Sequence, residues 1–192
     1  MALSCRRSSA HSARCGAFFD DSPRPPPRRA PQVYRSGFAT TQAAYDAVQA
    51  RLWAALSSLE AALAGRRFLC GARFTRADLF LFPTAARFDA VYTGIFKCSA
   101  RRWADHPRLQ AWLLDCAALP LPGGGALADT VDVDDCRRSY YAQLFPLNPG
   151  GIVPSGPTAA ALGLGPAAAG GAAGADPGDV FHDRAVAAGA GG

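Results

Sequence analysis

The sequence predicts an all-α domain with a flexible segment on either side of it. Three observations support this fold class. Apolar residues recur at helical spacing in four segments between Tyr34 and Leu147, and each segment has a recognisable start or stop signal. No segment alternates between apolar and polar residues for long enough to indicate a strand. The roughly 115 residues between these limits can form one hydrophobic core.

The first predicted helix begins at Thr40 or Thr41, either of which can accept a hydrogen bond from the first turn. It ends at Gly65, a residue that commonly terminates helices. Between these limits, apolar residues recur at steps of four, four, three and four, so one face is expected to be buried. This stripe consists of Val48, Leu52, Leu56, Leu59 and Leu63.

The second predicted helix has the sharpest start signal in the chain. Thr75 and Asp78 have the spacing of a capping box, in which each side chain bonds to the other residue's amide, and Phe74 and Leu79 occupy the positions of a hydrophobic staple. The helix is apolar nearly all round as far as Val91, which is typical of a central helix. We expect Pro83 to bend it.

Two further helices are predicted towards the C-terminus. One starts at Pro107, a favourable first-turn residue, with His106 in the capping region, and it ends before Pro120. The last begins near Val131, with acidic residues at its N-terminal end, as the helix dipole favours. The apolar stripe of the first of these consists of Leu109, Trp112, Leu113 and Cys116.

Composition divides the chain into a leader, a domain and a tail. Residues 1–30 contain six Arg, two Asp and three consecutive prolines, and residues 158–192 are rich in Gly and Ala. Neither composition favours a packed core, so we expect a disordered leader, a helical domain at 31–157 and a disordered tail. The net charge is +5, of which the leader carries +4, so the domain is nearly neutral. A nucleic-acid partner is therefore not expected.

Several classes of protein are disfavoured by the sequence. No run of eighteen apolar residues occurs, so no membrane span is expected and a cytoplasmic location is predicted. The Arg- and Ser-rich leader is also typical of a chloroplast or mitochondrial transit peptide, and this alternative stays open. The cysteines have no metal-ligand spacing, so neither a metal site nor a disulfide framework is expected. The six are Cys5, Cys15, Cys70, Cys98, Cys116 and Cys136.

Four segments resemble a known family. In the order of the chain they read VYRSGFATTQ (33–42), RFDAVY (87–92), FKC (96–98) and NPGGIVP (148–154). Together with the helix pattern they resemble the C-terminal helical domain of glutathione S-transferases, and in particular the glutathionyl-hydroquinone reductases, also known as the Xi class and similar to the omega class. The resemblance implies a helical bundle and a part in the glutathione-dependent reduction of S-glutathionyl-hydroquinones.

The resemblance also implies which residues and partners take part. Tyr34 and Tyr140 match the tyrosines that hydrogen-bond the hydroquinone oxygens in that family. No catalytic residue is expected in this chain, because the nucleophilic cysteine and the glutathione site belong to a thioredoxin-like domain for which there is no room before Val33. We expect that domain to be absent or on another chain, and this chain to be inactive alone. A homodimer stays open.

Simpler interpretations stand beside these. Tyr34 and Tyr140 are also what the amphipathic edge of a core would look like, and Tyr92 and Tyr141 are more typical of packing residues. A domain that has kept the fold for dimerisation or scaffolding, without catalysis, is the alternative function. It would carry a polar surface where an enzyme has an apolar docking face.

Overall fold

A computed structural model describes residues 32–165, and the predicted leader and most of the predicted tail lie outside this range. Within it the chain is helical, and the only strand-like features are isolated bridges at Phe68 and Gly71 and at Pro120 and Ala126. The all-α prediction is confirmed. The helices are α1 (Gln32–Gly37), α2 (Gln42–Ala62), α3 (Arg76–Arg87), α4 (Thr93–Ile95), α5 (Pro107–Ala117) and α6 (Val133–Gln143).

Helix α2 matches its prediction closely. The Thr41 hydroxyl accepts a hydrogen bond from the amide of Ala44 at 3.2 Å, and the helix ends at Ala62, with the positive-φ Gly65 just beyond. Every residue of the predicted apolar stripe is buried. The stripe packs into one core with the largest enclosed side chains of the other elements, which are Trp103, Trp112, Phe68, Phe82, Phe88 and Phe96.

At the start of α3, Asp78 does more than the capping box requires. Its carboxylate accepts bonds from the amide and the hydroxyl of Thr75, both at 2.8 Å. It also accepts from the amide of Leu69 at 2.8 Å and from the indole of Trp112 at 2.9 Å. The side chain is 0% exposed, so this charge is completely enclosed by donors. Asp78 therefore joins α3 to the preceding link and to α5.

The two residues of the predicted staple differ in burial. Leu79 is 46% exposed, while the ring of Phe74 lies edge-on to that of Phe68, with 5.8 Å between centroids. The staple contact between Phe74 and Leu79 stays a prediction.

The central helix also ends differently from the prediction. Pro83 lies inside α3, as expected, but a π-helical turn follows at Phe88–Tyr92, where the amide of Thr93 donates to the carbonyl of Phe88, five residues earlier. A π turn adds one residue to the helical ring and shifts which side chains share a face. Hydrophobic spacing alone did not indicate this change of register.

The last two long helices agree with their predictions. Pro107 is the first residue of α5, but Glu60 of α2 caps this helix by accepting from the amides of Arg108 and Leu109 at 3.0 and 2.8 Å. Helix α6 begins at Val133, two residues later than expected, and Asp132 caps it. The long-range cap from Glu60 has no local sequence signal.

The packed region extends beyond the predicted boundary at residue 157. Ala160–Leu162 form a 3-10 turn, and Leu164 is buried in the core. The apolar residues of this segment are therefore part of the domain, although the surrounding Gly and Ala resemble a tail. Among residues 32–165, no helix has the length and apolar character to cross a membrane.

Candidate functional site

The structure brings Tyr34 and Tyr140 together. Tyr34 lies on α1 and Tyr140 on α6, 106 residues apart, and their hydroxyl oxygens are 2.6 Å from each other in a hydrogen bond. Both side chains are half-buried, so each keeps some contact with solvent. Sequence reasoning named these two residues through one family resemblance, and the fold makes them direct neighbours. Their role in binding remains a prediction.

Two more aromatic residues complete what we call the tyrosine cluster, made of Tyr34, Tyr92, Phe96 and Tyr140. The ring of Phe96 lies 4.5 Å from that of Tyr34 and 6.1 Å from that of Tyr140, measured between centroids. Tyr92, from the π turn, lies 6.5 and 6.1 Å from the same two rings. Tyr92 and Phe96 are 3% and 0% exposed and form the floor beneath the half-buried pair.

The hydroxyls of Tyr34 and Tyr92 are held in the neutral form. Burial raises the pKa of Tyr34 above its ordinary value, and its hydrogen bond with Tyr140 raises it further, while the charge of Arg87 lowers it. Burial likewise raises the pKa of Tyr92, which Arg87 lowers in part. Neutral phenols can each donate and accept a hydrogen bond but are poor bases. The cluster is therefore suited to binding a polar aromatic molecule.

A positive charge stands beside the tyrosine cluster. Arg87 ends α3, and its Nε donates to the carbonyl of Pro83 at 2.7 Å. Its charge lowers the pKa of Tyr34 and of Tyr92. Sequence reasoning quoted Arg87 within the RFDAVY segment but gave it no role. The only sequence feature that pointed to Arg87 was its place in this family-like segment.

Helix α1 is fixed in place by contacts with the segment after α4. The hydroxyl of Ser36 donates to the carbonyl of Phe96 at 2.9 Å, and the amide side chain of Gln49 donates to Ser36. A Cβ on Gly37 would overlap the ring of Phe96, so only glycine permits this approach. Two of the family-like segments, 33–42 and 96–98, thereby form one unit that positions Tyr34.

The carbonyl of Lys97 is a second anchor for this unit. It accepts from the hydroxyl of Tyr45 at 2.6 Å and from Gln49 at 3.4 Å, while the Lys97 ammonium donates to the carbonyl of Gly37 at 3.3 Å. Lys97 has a φ of 57°, a left-handed conformation that is unfavourable for a residue with a side chain. Bonds at both ends of Lys97 offset that strain.

One residue in each of the other two family-like segments, Asp89 and Asn148, supports the cluster indirectly. The carboxylate of Asp89, in the π turn, accepts from the amide of Trp103 at 2.6 Å and ties the turn to the next loop. Asn148 donates to the carbonyls of Tyr141 and Ile152 at 2.7 and 2.9 Å and folds the segment after α6 back onto that helix. These residues hold the backbone rather than face the cluster.

Tyr141 is a buried packing residue, as the sequence analysis expected. It is 9% exposed, and its hydroxyl lies 3.4 Å from the carbonyl of Val91. A Cβ on Gly94 would overlap the Tyr141 hydroxyl, so α6 approaches α4 closely at this point. This contact sets the distance between the π turn and the helix that carries Tyr140.

The described thiols differ in environment, and within residues 32–165 none forms a disulfide. Cys98 and Cys116 are fully buried, and burial raises the pKa of Cys98 to about 11 and that of Cys116 further still. Neither is a thiolate near neutral pH, so neither suits nucleophilic attack. Cys70 and Cys136 are half-buried. Within residues 32–165, no group of His, Cys, Asp and Glu is arranged to hold a metal ion.

A separate surface groove lies where α1 meets α2. It encloses about 360 Å³, is widely open to solvent, and is lined by Arg35, Phe38, Ala39, Thr40, Ala44 and Val48. Its lining has one charged group and no hydroxyl from the tyrosine cluster. It is therefore a surface feature distinct from the Tyr34–Tyr140 pair.

The helical region is similar to known proteins of one family. Residues 42–114 match the family model for the glutathione S-transferase C-terminal domain. The chain is 45% identical over 132 residues to the glutathionyl-hydroquinone reductase PcpF of Sphingobium chlorophenolicum, covering 69% of this chain and 41% of PcpF. It is 39% identical over 125 residues to the glutathionyl-hydroquinone reductase YqjG of Escherichia coli, covering 65% of this chain and 37% of YqjG.

Solved structures of glutathione transferases are also similar to this chain. The glutathione-bound structure of YqjG, a glutathione transferase homolog from Escherichia coli, has a TM-score of 0.64 and 34% identity, covering 77% of this chain and 43% of that one. The glutathione S-transferase Xi from Phanerochaete chrysosporium has a TM-score of 0.60 and 39% identity, covering 66% and 41%. This chain spans about two-fifths of the length of these relatives.

Proposed function

Because the helical domain of this chain belongs to the glutathione S-transferase C-terminal domain family and is similar to glutathionyl-hydroquinone reductases, we propose that it forms the hydroquinone side of such a reductase site. In this proposal Tyr34 and Tyr140 bind the hydroquinone oxygens. The reaction consumes an S-glutathionyl-hydroquinone and glutathione, and it yields the hydroquinone and glutathione disulfide.

The observation that carries the proposal is the hydrogen-bonded pair of phenols on an aromatic floor. A hydroquinone has a flat ring and hydroxyl groups that both donate and accept hydrogen bonds. Tyr34 and Tyr140 offer the matching capacity, since a neutral phenol has one donor and free lone pairs. The rings of Tyr92 and Phe96 supply an apolar surface against which a substrate ring can pack. In the absence of ligand the two hydroxyls satisfy each other.

The chemistry of the sulfur atom is assigned to a second domain. The buried thiols Cys98 and Cys116 have raised pKa values, which disfavour the thiolate that attacks sulfur. We therefore assign the nucleophilic cysteine and the glutathione site to a thioredoxin-like domain, in the same protein or on a partner chain. The helical domain binds and orients the hydroquinone and shields it from water.

The test combines the full chain with a thioredoxin-like domain from a family member and measures reduction of S-glutathionyl-hydroquinone. Activity is expected with both components present. Tyr34→Phe and Tyr140→Phe should each lower kcat/KM about tenfold, which corresponds to one hydrogen bond of about 1.4 kcal/mol in the transition state. Thr130→Val is the matched control, because it also removes one hydroxyl hydrogen bond, that of Thr130 to the carbonyl of Leu127, and this bond lies outside the cluster.

The alternative is a module for dimerisation or scaffolding. Three large apolar side chains, Phe80, Phe145 and Ile152, are 64%, 76% and 76% exposed, and apolar exposure of this kind is what the reductase predicts at a docking face, whereas this alternative predicts a polar surface there. If the helical protein is folded and forms a stable dimer but shows no activity with the added domain, and no hydroquinone binding, the enzyme proposal fails and this alternative takes its place.

A further inference from the structure

Gln49 is a polar side chain of α2 that is only 6% exposed. Its Nε2 donates to the hydroxyl of Ser36 on α1 and, at 3.4 Å, to the carbonyl of Lys97 in the segment after α4. The apolar stripe of α2 is buried in the core, so this helix is a fixed support for the two segments beside it. One amide group therefore ties both α1 and the segment after α4 to α2.

Each of these two segments carries a member of the tyrosine cluster. Tyr34 lies two residues before Ser36 on α1. Phe96 directly precedes Lys97, and its carbonyl accepts from the Ser36 hydroxyl at 2.9 Å. The centroids of the Tyr34 and Phe96 rings are 4.5 Å apart. The position of Tyr34, and with it the hydrogen bond to Tyr140, therefore depends on how α1 lies against the segment after α4.

The other buried polar groups do not need the Gln49 amide in order to be hydrogen-bonded. Without it, the Ser36 hydroxyl would keep its bond to the Phe96 carbonyl, and the Lys97 carbonyl would keep its bond from the hydroxyl of Tyr45. Gln49 also brings an enclosed oxygen, Oε1, that has no hydrogen-bond partner in the described part of the chain. An unpaired buried acceptor is destabilising, and an apolar side chain of similar size would remove it. The net contribution of this amide to stability is therefore expected to be small.

We propose that Gln49 is a positioning residue, which places the hydroxyl of Tyr34 for binding hydroquinone by holding α1 against the segment after α4. This inference rests on the proposed function, in which Tyr34 binds a hydroquinone oxygen. Gln49 acts through the backbone of the two segments and takes no part in the reaction itself. An O–H···O hydrogen bond needs its two oxygens to be about 2.5–3.0 Å apart, so a small displacement of α1 is enough to weaken the bond between Tyr34 and the ligand.

The first readout is the position of Tyr34 in the full chain without ligand. Gln49→Met keeps the length of the side chain and removes the amide. The chain has five tyrosines, so isotopic labelling of their rings gives an NMR spectrum that is simple to assign. The nuclear Overhauser effect between the rings of Tyr34 and Phe96 should be present in the unmodified protein and lost in Gln49→Met, and the Tyr34 resonances should shift. The resonances of Tyr141, which packs against Gly94, should stay where they are.

The second readout is the affinity of the full chain for hydroquinone. Gln49→Met and Tyr34→Phe should each lower it about tenfold, the effect of one hydrogen bond. The two substitutions together should lower it no further than either one alone, because Gln49 acts only through the Tyr34 hydroxyl.

Ala55→Gly is the matched control for stability. Ala55 is a buried residue of α2, six positions after Gln49, and glycine weakens a helix interior. This variant should unfold at a lower urea concentration than the unmodified protein, whereas Gln49→Met should unfold at nearly the same one. Despite its lower stability, Ala55→Gly should keep the Tyr34 resonances and the hydroquinone affinity.

The outcomes separate this inference from the proposed function. If Tyr34→Phe lowers the affinity but Gln49→Met changes neither the affinity nor the contact between the Tyr34 and Phe96 rings, the inference is overturned and the proposed function stands. If Gln49→Met breaks that contact but the unmodified chain does not bind hydroquinone, Gln49 still places Tyr34 and the proposed function fails. Losses that multiply in the double variant, or a Tyr34 shift of equal size in Ala55→Gly, would also overturn the inference.

Discussion

Asp78 and Arg87 stand near opposite ends of α3, and both are charged residues withdrawn from water. Asp78 is completely enclosed and accepts four hydrogen bonds, from Thr75, Leu69 and Trp112. Arg87 is half-buried, its Nε donates to the carbonyl of Pro83, and it forms no ion pair with a carboxylate among residues 32–165. The carboxylate of Asp78 is therefore fully hydrogen-bonded within the fold, whereas the guanidinium of Arg87 has no charged partner in the described part of the chain.

The largest effect is expected from removing the satisfied charge. Asp78→Ala leaves the amides of Leu69 and Thr75 and the indole of Trp112 without an acceptor inside the protein. Each buried unpaired donor costs about 1–3 kcal/mol, so the free energy of unfolding should fall by at least about 3 kcal/mol in urea titrations.

Asp115→Ala is the control for this change, because Asp115 is 41% exposed and pairs with Arg67 on the surface. It should cost less than about 1 kcal/mol. A similar small loss for Asp78→Ala would show that its four hydrogen bonds contribute little to the free energy of unfolding. The two ends of α3 would then not differ in the way described above.

A packing change in α4, beyond the π turn that follows α3, should have the next largest effect. Gly94→Ala places a methyl group where the Tyr141 hydroxyl lies, so α6 must shift away from α4. Overpacking of this kind costs about 1–3 kcal/mol. Because α6 also carries Tyr140, hydroquinone affinity should fall together with stability.

Gly150→Ala is the matched control, since a Cβ there meets Ile152 at an ordinary 3.7 Å. It should change the free energy of unfolding by no more than about 0.5 kcal/mol. Equal effects of the two substitutions on thermal unfolding would mean that the approach of α6 to α4 is not tight.

Alkaline pH should reduce the free energy of unfolding through Tyr34 and Tyr92. Burial raises the pKa of Tyr34 and Tyr92 above the value of 10.0 that a free tyrosine has. Their contribution to stability is therefore fully present below pH 10 and is lost above it, because the unfolded chain ionises first. The loss is at most about 1.4 kcal/mol per pH unit for each tyrosine.

Urea titrations from pH 8 to pH 11 would measure this loss. Tyr92→Phe should make the free energy of unfolding fall less steeply with pH. Cys98, whose pKa is raised to about 11, contributes in the same direction, so the difference between the variant and the parent isolates the tyrosine. An unchanged slope in Tyr92→Phe would indicate that this hydroxyl is not held in its neutral form by the fold.

The smallest effect on stability is expected at Arg87 itself. Arg87→Gln removes a charge that no carboxylate within residues 32–165 compensates, so the free energy of unfolding should change by no more than about 0.5 kcal/mol. Arg137→Gln is the contrast, because Arg137 is 8% exposed, pairs with Asp134 at 3.1 Å and donates to the Pro157 carbonyl at 2.6 Å. It should cost about 2 kcal/mol.

Thermal denaturation of the two variants side by side would decide the point. A loss of stability in Arg87→Gln as large as that in Arg137→Gln would show that Arg87 stabilises the fold. Asp78 and Arg87 would then differ only in the groups that they contact.

The sequence alone determined the four longest helices, because helix formation depends on local spacing and local caps. The stripe of α2, the first turn of α5 and the start of α3 all follow from residues within a few positions of each other. It did not indicate α1, the helix that carries Tyr34. The family resemblance also identified Tyr34 and Tyr140, although no local pattern connects two residues 106 positions apart.

The tertiary structure decided which residues meet, because packing joins distant segments and can change the helical register. The π turn directs Tyr92 into the cluster, Glu60 caps α5 from another helix, and Leu164 is buried despite its tail-like surroundings. The same packing enclosed Asp78 with donors while leaving Arg87 without a carboxylate in the described range. The sequence identified Asp78 as a capping residue, whereas the hydrogen bonds from Leu69 and Trp112 to Asp78 and the lack of an ion pair at Arg87 are visible only in the tertiary structure.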